Sequence, residues 1–397
     1  MKKKIKNTNK KIVKKKPQPV NNNSNKNKKP ISINNKINKE VVKIENKSEK
    51  GDDFLYVGEF INNEKNGKGI IYYEDGTLIE GNWKDGELNG QGIFKTTELI
   101  ISGEFIDGEL SGQVEEIDKE TGKLVFKGEY SQGQRHGRGK LIMIEDGGEL
   151  TGTWVDGKMT GYAEYTFPTC NGRFKIQGQW LNGDLVSGKY NINYQPLRNE
   201  IDGKRLPIDD REREYMRRLE HYQQKELSKE CRNFILKLDE SNQNTISTSP
   251  LHIDLYERFH CFVGKQSTIP NSGEGLFAKI FIPSGTIISF YNGIRLTHQL
   301  VNSRSWSENN NTISLNHETV IDVPPHLNDT VTQYSATISH KANHLVPANN
   351  SVYASFYHPR FGDIKCIKAI KDINENEEIF VDYGYSNNDT PSWYKVK

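Results

Sequence analysis

A short marker, glycine–any residue–aromatic, recurs six times between residues 54 and 190, and it constrains the fold more than any other feature of the chain. The copies are Gly58-Glu59-Phe60, Gly81-Asn82-Trp83, Gly103-Glu104-Phe105, Gly128-Glu129-Tyr130, Gly152-Thr153-Trp154 and Gly178-Gln179-Trp180. Successive copies are 23, 22, 25, 24 and 26 residues apart. Each is followed by further glycine: Gly67 and Gly69, Gly90 and Gly92, Gly112, Gly137 and Gly139, Gly161, then Gly188. A period of this length points to a stacked array rather than one globular core. Each unit predicts a β-hairpin, with glycine supplying positive φ at tight turns and allowing backbones to approach closely. The aromatic is expected to point inward and stack on its neighbours. One hairpin cannot cover its own apolar face, so about three or more must stack into a solenoid.

Composition fits an array with a smaller core beside it. Only 34% of the 397 residues are hydrophobic, and the mean hydropathy is −0.77, too polar for a single large core. Residues 1–50 carry 17 Lys and 3 Glu, a net charge of +14, whereas the rest of the chain carries −12. This Lys/Asn-rich stretch lacks the apolar surface that would offset the entropy of ordering, so it reads as a disordered basic tail. Lys14-Lys15-Lys16 and its neighbours could attract nucleic acid or direct nuclear import; the plain alternative is a solvated tail. The acidic remainder favours basic partners.

No apolar run approaches the roughly 18 residues of a transmembrane segment, and no apolar stretch follows the basic start as a secretory signal requires. Cys170, Cys231, Cys261 and Cys366 are far apart, with no C-x-x-C pair. That spacing argues against a disulfide framework or a zinc site and predicts a reducing interior, the nucleus or the cytoplasm.

Residues 205–245 change character. A charged run beginning at Asp209 is interleaved with Tyr215, Leu219, Tyr222 and Leu227, three to five residues apart. It predicts an amphipathic linker helix with acidic residues at its start, lying on a neighbouring domain. Residues 240–250, rich in Ser, Thr and Asn, read as a hinge.

The repeat resembles the MORN family, whose arrays imply protein binding and in some cases lipid binding. Glu59, Asp85, Glu87, Asp107 and Glu109 leave no basic stripe for an anionic membrane, so protein binding or a spacer role is the expectation. From residue 251 onward four segments resemble the SET domain in their order. They are Asn271-Ser272-Gly273-Glu274-Gly275-Leu276-Phe277, Ser289-Phe290-Tyr291-Asn292-Gly293, Lys341-Ala342-Asn343-His344, and the run from Glu377 through Asp382-Tyr383-Gly384-Tyr385. The stretches SFYNG, HKANH, HPRFG and IKCI carry the likeness most strongly. Array and domain together resemble the MORN-repeat SET-domain protein lysine methyltransferases.

That resemblance implies a mainly β chain: a tail over 1–50, six MORN repeats over 54–190, a linker helix, and a pseudoknotted SET β-fold over 251–397. It also implies S-adenosylmethionine as methyl donor and lysine of a histone or another protein as acceptor. The alternative is a MORN scaffold whose SET domain binds without catalysing. The chemistry explains the residues the family uses. Free lysine has a pKa of about 10.4 and must lose its proton before it can attack a sulfonium methyl. Tyrosine rings exclude water while their hydroxyls hydrogen-bond the amine without adding charge. By resemblance Tyr383 borders the transfer axis and Tyr291 and Tyr353 restrain the amine, which implies mainly monomethylation. Ser272, Gly273, Glu274, Asn343, His344 and Trp393 fall at cofactor positions, and His298, Asn302 and Lys365 at substrate positions. Gly273 and Gly275 are expected to let the donor approach the backbone.

Three departures stand out. The run Leu345-Val346-Pro347-Ala348-Asn349-Asn350 has one residue more than the family pattern before Tyr353. Asn302 stands where the family has an acidic side chain, which weakens recognition of a basic residue before the target lysine and counts against histone H3. The chain stops four residues after Trp393. Relatives continue into a helix over the cofactor, so looser cofactor binding is expected, unless the 205–240 segment substitutes.

Overall fold

The computed structural model describes residues 45–51, 53–144, 146–168, 173–193, 204–205, 209–225, 234–235, 254–264, 266–305, 307–324 and 337–384. The described residues form two compact bodies: those of 45–139 with 154–157, and those of 140–153 with 158–384.

The first body is a run of antiparallel strands: β1 (Glu45–Lys50), β2 (Phe54–Ile61), β3 (Glu64–Tyr73), β4 (Leu78–Lys84), β5 (Glu87–Lys95), β6 (Leu99–Ile106), β7 (Glu109–Asp118), β8 (Leu124–Ser131) and β9 (Gln134–Ile142), each bonded to the next. Strand β1 corrects the expected tail. The composition predicts disorder through residue 50, but Glu45–Lys50 pairs with β2 from Glu45↔Phe60 to Lys50↔Leu55. The rest of that tail, residues 1–44, lies outside the described residues.

Tight turns create these hairpins. Asp85 and Gly86 have φ of 50° and 86°, and Asp107 and Gly108 have 50° and 79°. Two consecutive positive values form the turn whose twist matches the flanking strands. Glycines also face one another across strands, Gly58 opposite Gly69 and Gly69 opposite Gly81. A Cβ on Gly69 would sit 2.2 Å from the Tyr56 hydroxyl, so the Tyr56 ring lies over bare backbone.

Phe60, Trp83 and Phe105 of the markers are buried, as the inward pointing requires. The rings meet edge to face, however, rather than stacking. Tyr56 and Trp83 are 5.3 Å apart at 82°, and Phe126 and Trp154 are 5.5 Å apart at 89°. The quadrupole of each ring favours this arrangement. The second residue after each turn packs against the rings: Leu88 and Leu110 in two hairpins, cations in two others. Lys65 Nζ lies 4.6 Å from the Phe54 ring centroid, and the Arg135 guanidinium 4.5 Å from that of Phe126. Arg135 also donates two 2.6 Å bonds to Glu116, which accepts the Tyr130 hydroxyl as well. Burial, and then the Glu116 carboxylate, push the Tyr130 phenol well above its usual range.

The second body opens with β10 (Glu149–Val155), β11 (Lys158–Met159), β12 (Gly161–Thr166), β13 (Phe174–Leu181) and β14 (Asp184–Ile192), two further hairpins. Every one of the six markers therefore lies on the first strand of a hairpin. Helix α1 (Asp210–Lys225) follows, its first turn held by Asp209 accepting the Glu212 N–H at 2.7 Å. Its buried stripe is Met216, Leu219 and Tyr222, and the Tyr222 hydroxyl donates to Leu255 O. The helix is shorter than the 205–245 expectation. Phe234–Ile235 is a strand, β15, paired with β14, while Leu227 and the 240–250 hinge lie outside the described residues.

Helix α2 (Leu255–His260) is capped by Asp254. Then come β16 (Cys261–Gly264), β17 (Gly275–Ala278), β18 (Ile287–Tyr291), β19 (Ile294–Thr297), α3 (His298–Asn302), β20 (Thr312–Ser314), β21 (Thr319–Asp322), β22 (Asn343–His344), β23 (Ser351–His358), β24 (Gly362–Ala369) and β25 (Phe380–Val381). They form small sheets: β16-β17, β18-β24-β23, β19-β21-β20 and β22-β25. The last pair is parallel and brings the late segment beside Asn343–His344. Phe167, just after β12, is central to the packing. Its ring lies 5.0 Å from Tyr256, 6.2 Å from Phe290 and 6.5 Å from Phe356. Beside it Tyr190 of β14 donates to Asp254, which also holds Arg360 at 3.1 Å. Phe167 and Tyr190 therefore share a core with α2, β18 and β23.

Candidate active site

The three-stranded sheet β18-β24-β23 brings two of the singled-out tyrosines together. Tyr291 ends β18 opposite Lys365 of β24, and Tyr353 on β23 lies opposite Ile367 of the same central strand. Opposed residues share a face and alternate residues return to it, so Tyr291, Lys365 and Tyr353 stand on one side. The Tyr291 and Tyr353 rings are 5.9 Å apart at 78°. The extra residue before Tyr353 is absorbed ahead of β23, in a loop that holds a cis Val346–Pro347 bond. His340 also stands beside Tyr291, ring centroids 6.3 Å apart, and burial pushes its imidazole down to about 3.

Tyr383 belongs to a different cluster. Its hydroxyl donates to Ala342 O at 2.9 Å, and its N–H donates to His344 Nδ1 at 3.0 Å. Because Nδ1 accepts, it is unprotonated, and burial lowers the His344 pKa despite Asp382 nearby. The neutral ring is thus held beside Tyr383, centroids 5.3 Å apart.

The two segments assigned by resemblance to the cofactor are bonded side by side. Asn343 Nδ2 donates to Glu274 O at 2.9 Å, and Lys341 pairs with the Glu274 carboxylate at 2.9 Å. Gly273 has φ of 71°, and a Cβ there would meet nothing within 4 Å, so this turn is open on its outer side. Gly275 meets a constraint of its own: a Cβ there would lie 2.3 Å from Glu378 Oε1, so its bare backbone makes room for Glu378.

Glu378 is a residue to which the sequence assigns no role. It is 3% exposed and accepts the Ser267 hydroxyl at 2.7 Å, the Thr268 N–H at 2.6 Å and hydroxyl at 2.5 Å, and Asn343 Nδ2 at 3.1 Å. A carboxylate can accept about four such bonds, so Glu378 ties three segments around Asn343. The available signal was its place directly before the apolar run Ile379-Phe380-Val381. Glu257 and His340 are also absent from the sequence-based set, since neither stands out by spacing or composition.

Of the expected substrate residues, His298 and Lys365 line one pocket of about 390 Å³ with Ser314, Leu315, Asn316 and His317. His298 Nε2 donates to Asn316 O at 2.7 Å, and Lys365 Nζ donates to Ser355 Oγ at 3.1 Å. Asn302, at the exposed end of α3, does not line this pocket. Trp393 lies outside the described residues. A larger cleft of about 850 Å³ lies elsewhere, between α1 and residues 280–286, and none of the tyrosines at 291, 353 and 383 lines it. Among the described residues, no group of three or more His, Cys, Asp or Glu could hold a metal, and no helix is long and apolar enough to cross a membrane. Cys261 and Cys366 are buried free thiols.

Comparison with known proteins adds to this geometry. The SET domain family model matches residues 273–384, and the MORN repeat model matches 56–78, 80–97, 126–143 and 151–169. The hairpins β6–β7 and β13–β14 have the same marker and turn without matching that model. The histone-lysine N-methyltransferase SETD7 of Halocynthia roretzi is 34% identical over 296 residues, covering 70% of this chain and 68% of that protein. Among solved structures, a humanized mutant of the Chaetomium thermophilum Polycomb Repressive Complex 2 bound to an inhibitor is 25% identical, at a TM-score of 0.25. The alignment covers 33% of this chain and 15% of that one. A putative histone methyltransferase of Plasmodium falciparum is 15% identical at a TM-score of 0.24, covering 32% of this chain and 96% of that one. Likenesses at such scores carry no weight for function.

Proposed function

We propose that this chain, which belongs to the SET-domain, MORN-repeat histone-lysine N-methyltransferase family, transfers one methyl group from S-adenosylmethionine to a lysine amine of a protein substrate. The observation that carries the reading is the pairing of Tyr291 with Tyr353 across β24, on the face that also bears Lys365.

The residues present fit the donor. The open turn at Gly273 is bonded through Glu274 to Asn343, so backbone groups of Ser272, Gly273 and Glu274 and of Asn343 and His344 can hold one ligand together. When bound, S-adenosylmethionine supplies an electrophilic methyl on a cationic sulfur. Trp393 would cover the adenine by stacking. Tyr291 and Tyr353 shed water from the lysine amine, which favours its neutral form, and their hydroxyls accept or donate hydrogen bonds that fix its lone pair. Tyr383 donates its hydroxyl proton to Ala342 O, and the lone pairs of its oxygen can accept from the amine at the transfer axis. Two hydroxyls at the amine leave little room for a methyl already present, and monomethylation follows.

His298 and Lys365 contact the peptide around the target lysine, with Asn302 at the rim. The acceptor is a histone or another lysine-bearing protein, the MORN hairpins bind protein, and the protein acts in the nucleus, with cytoplasmic substrates open to it. The basic tail adds a nucleic-acid contact. The test is transfer from labelled S-adenosylmethionine to core histones and cell extract, wild type beside Tyr383→Phe. Label on a protein band that falls 100-fold or more in the variant is expected. Equal labelling by both would remove Tyr383 from the site, and no labelling with no cofactor binding would favour a scaffold.

A further inference from the structure

We propose that Glu257 is a positioning residue for methyl transfer: one of its carboxyl oxygens holds the strand that carries Tyr291 against the segment that carries His340, Asn343 and His344. The inference rests on the roles proposed above for those residues. Glu257 lies on α2 and is fully buried. Its Oε1 accepts the Phe290 N–H at 2.8 Å and the Ile338 N–H at 3.1 Å. Phe290 immediately precedes Tyr291. Ile338 starts the single turn Ser339–Lys341 that leads into Asn343–His344.

The need for such a group comes from the topology. Strand β18 sits at the edge of β18-β24-β23, so its outer backbone groups have no ladder. Side chains take the place of a neighbouring strand. Ser289 Oγ and Ser339 Oγ are 2.6 Å apart, and the Thr337 hydroxyl bonds both the N–H and the carbonyl of Asn292 at 3.1 Å. Of these links only Glu257 comes from a third segment, and only it satisfies an N–H from each side with one atom. Buried N–H groups without an acceptor are strongly disfavoured, so removing that oxygen drives the two segments to rearrange.

The working part of the side chain is one acceptor oxygen, Oε1, which takes both N–H groups. Burial, and then the neighbouring Asp254, push the Glu257 carboxyl well above the usual carboxylate range. Gln has the same length and supplies the same oxygen, whereas Leu fills the space without it. Rearrangement of β18 against residues 337–344 alters the gap around the amine, which Tyr291 and Tyr353 limit from 5.9 Å apart. Room for a second methyl is then gained as alignment is lost.

The experiment compares wild type, Glu257→Gln and Glu257→Leu in the full chain. It measures kcat, KM for S-adenosylmethionine and the ratio of mono- to dimethyl-lysine by mass spectrometry. Glu257→Gln is expected within about threefold of wild type on all three. Glu257→Leu is expected to lose tenfold or more in kcat, to raise KM, and to yield a larger dimethyl fraction. A purely structural role would lower Tm and leave the product ratio and KM of the folded protein unchanged, and that result overturns the proposal. So does a Glu257→Gln variant as impaired as Glu257→Leu. Should Glu257→Leu fail to fold, Thr337→Val removes a neighbouring link and is expected to shift the product ratio the same way, by less; an unchanged ratio counts against the proposal. If wild type transfers no methyl, the tyrosine roles fail separately. Calorimetric affinity for S-adenosylmethionine then decides: weakened by Leu and kept by Gln supports the positioning role, and equal affinity in all three overturns it.

Discussion

The first body and the sheet around Tyr291 are both antiparallel β-structure, yet they are held together differently. In the first body each strand pairs with one that is close to it in the chain, and its rings cover glycine backbone in a row that repeats. Among the described residues its one buried carboxylate is Glu116, met by Arg135 and Tyr130. Around Tyr291, β18 pairs with β24 from far along the chain, and much of the interior is polar: Asp254, Glu257, His260, Ser289, Asn292, Ser339, His340 and Glu378 are all buried. A repeating apolar face is tolerant of its sequence as long as size and turns are kept. A polar interior is specific, because each group must find its own partner. The contrast is between a body built to be extended unit by unit and one built to fix a few side chains.

The strongest challenge to that contrast is Glu378→Leu. It strands the donors on Ser267, Thr268 and Asn343, and a loss of roughly 3–5 kcal/mol in unfolding free energy is expected. Methyl transfer should fall with it, and denaturant melts with turnover at a temperature where the variant is folded would show both. In the first body, Arg135→Met leaves Glu116 buried without its cation and should cost about 3 kcal/mol. Turnover per folded molecule should not change there; a parallel fall in kcat would erase the distinction between the bodies. Gly69→Ala pushes a methyl against the Tyr56 ring and should cost about 1–3 kcal/mol, read as a shift in denaturation midpoint.

A smaller effect depends on pH. Burial holds His260 down to about 4 and His340 down to about 3, below the ordinary 6.5. Both are neutral in the folded chain. Their contribution is present above 6.5 and is lost as pH falls towards 4 and 3, because the unfolded chain gains protons that the folded one refuses. Replacing His340 with Asn should flatten the fall of stability between pH 6 and 4 by about 1.4 kcal/mol per pH unit, measured by denaturation at each pH. The smallest change is expected at the exposed Lys127–Glu115 pair. Lys127→Ala should alter stability by less than about 1 kcal/mol, and a larger loss would mean that surface pairs matter to the array.

Much of the fold and part of the site are legible in the amino-acid sequence, for unequal reasons. The hairpins are readable because glycine, turn and aromatic recur, and a pattern seen six times identifies its own signal. The edge strand Glu45–Lys50 is not readable, since its polar residues resemble the tail before it and its order comes from pairing with β2. The tyrosines stand out through resemblance to a family, and composition alone would not separate them from core rings. The contact of Gly275 with Glu378 is not readable from sequence because Glu378 is distant in the chain.

The sequence by itself determined the array, its turns, the basic first 50 residues and the acidic remainder, and the family to which the chain belongs. All of these are carried by residues close together or by motifs in order. Tertiary structure alone decided that Tyr291 and Tyr353 flank one strand, that Glu378 gathers the segments around Asn343, and that Glu257 bonds both Phe290 and Ile338. Buried polar groups are placed by partners that become neighbours only when the chain folds, and no local period records such a pairing.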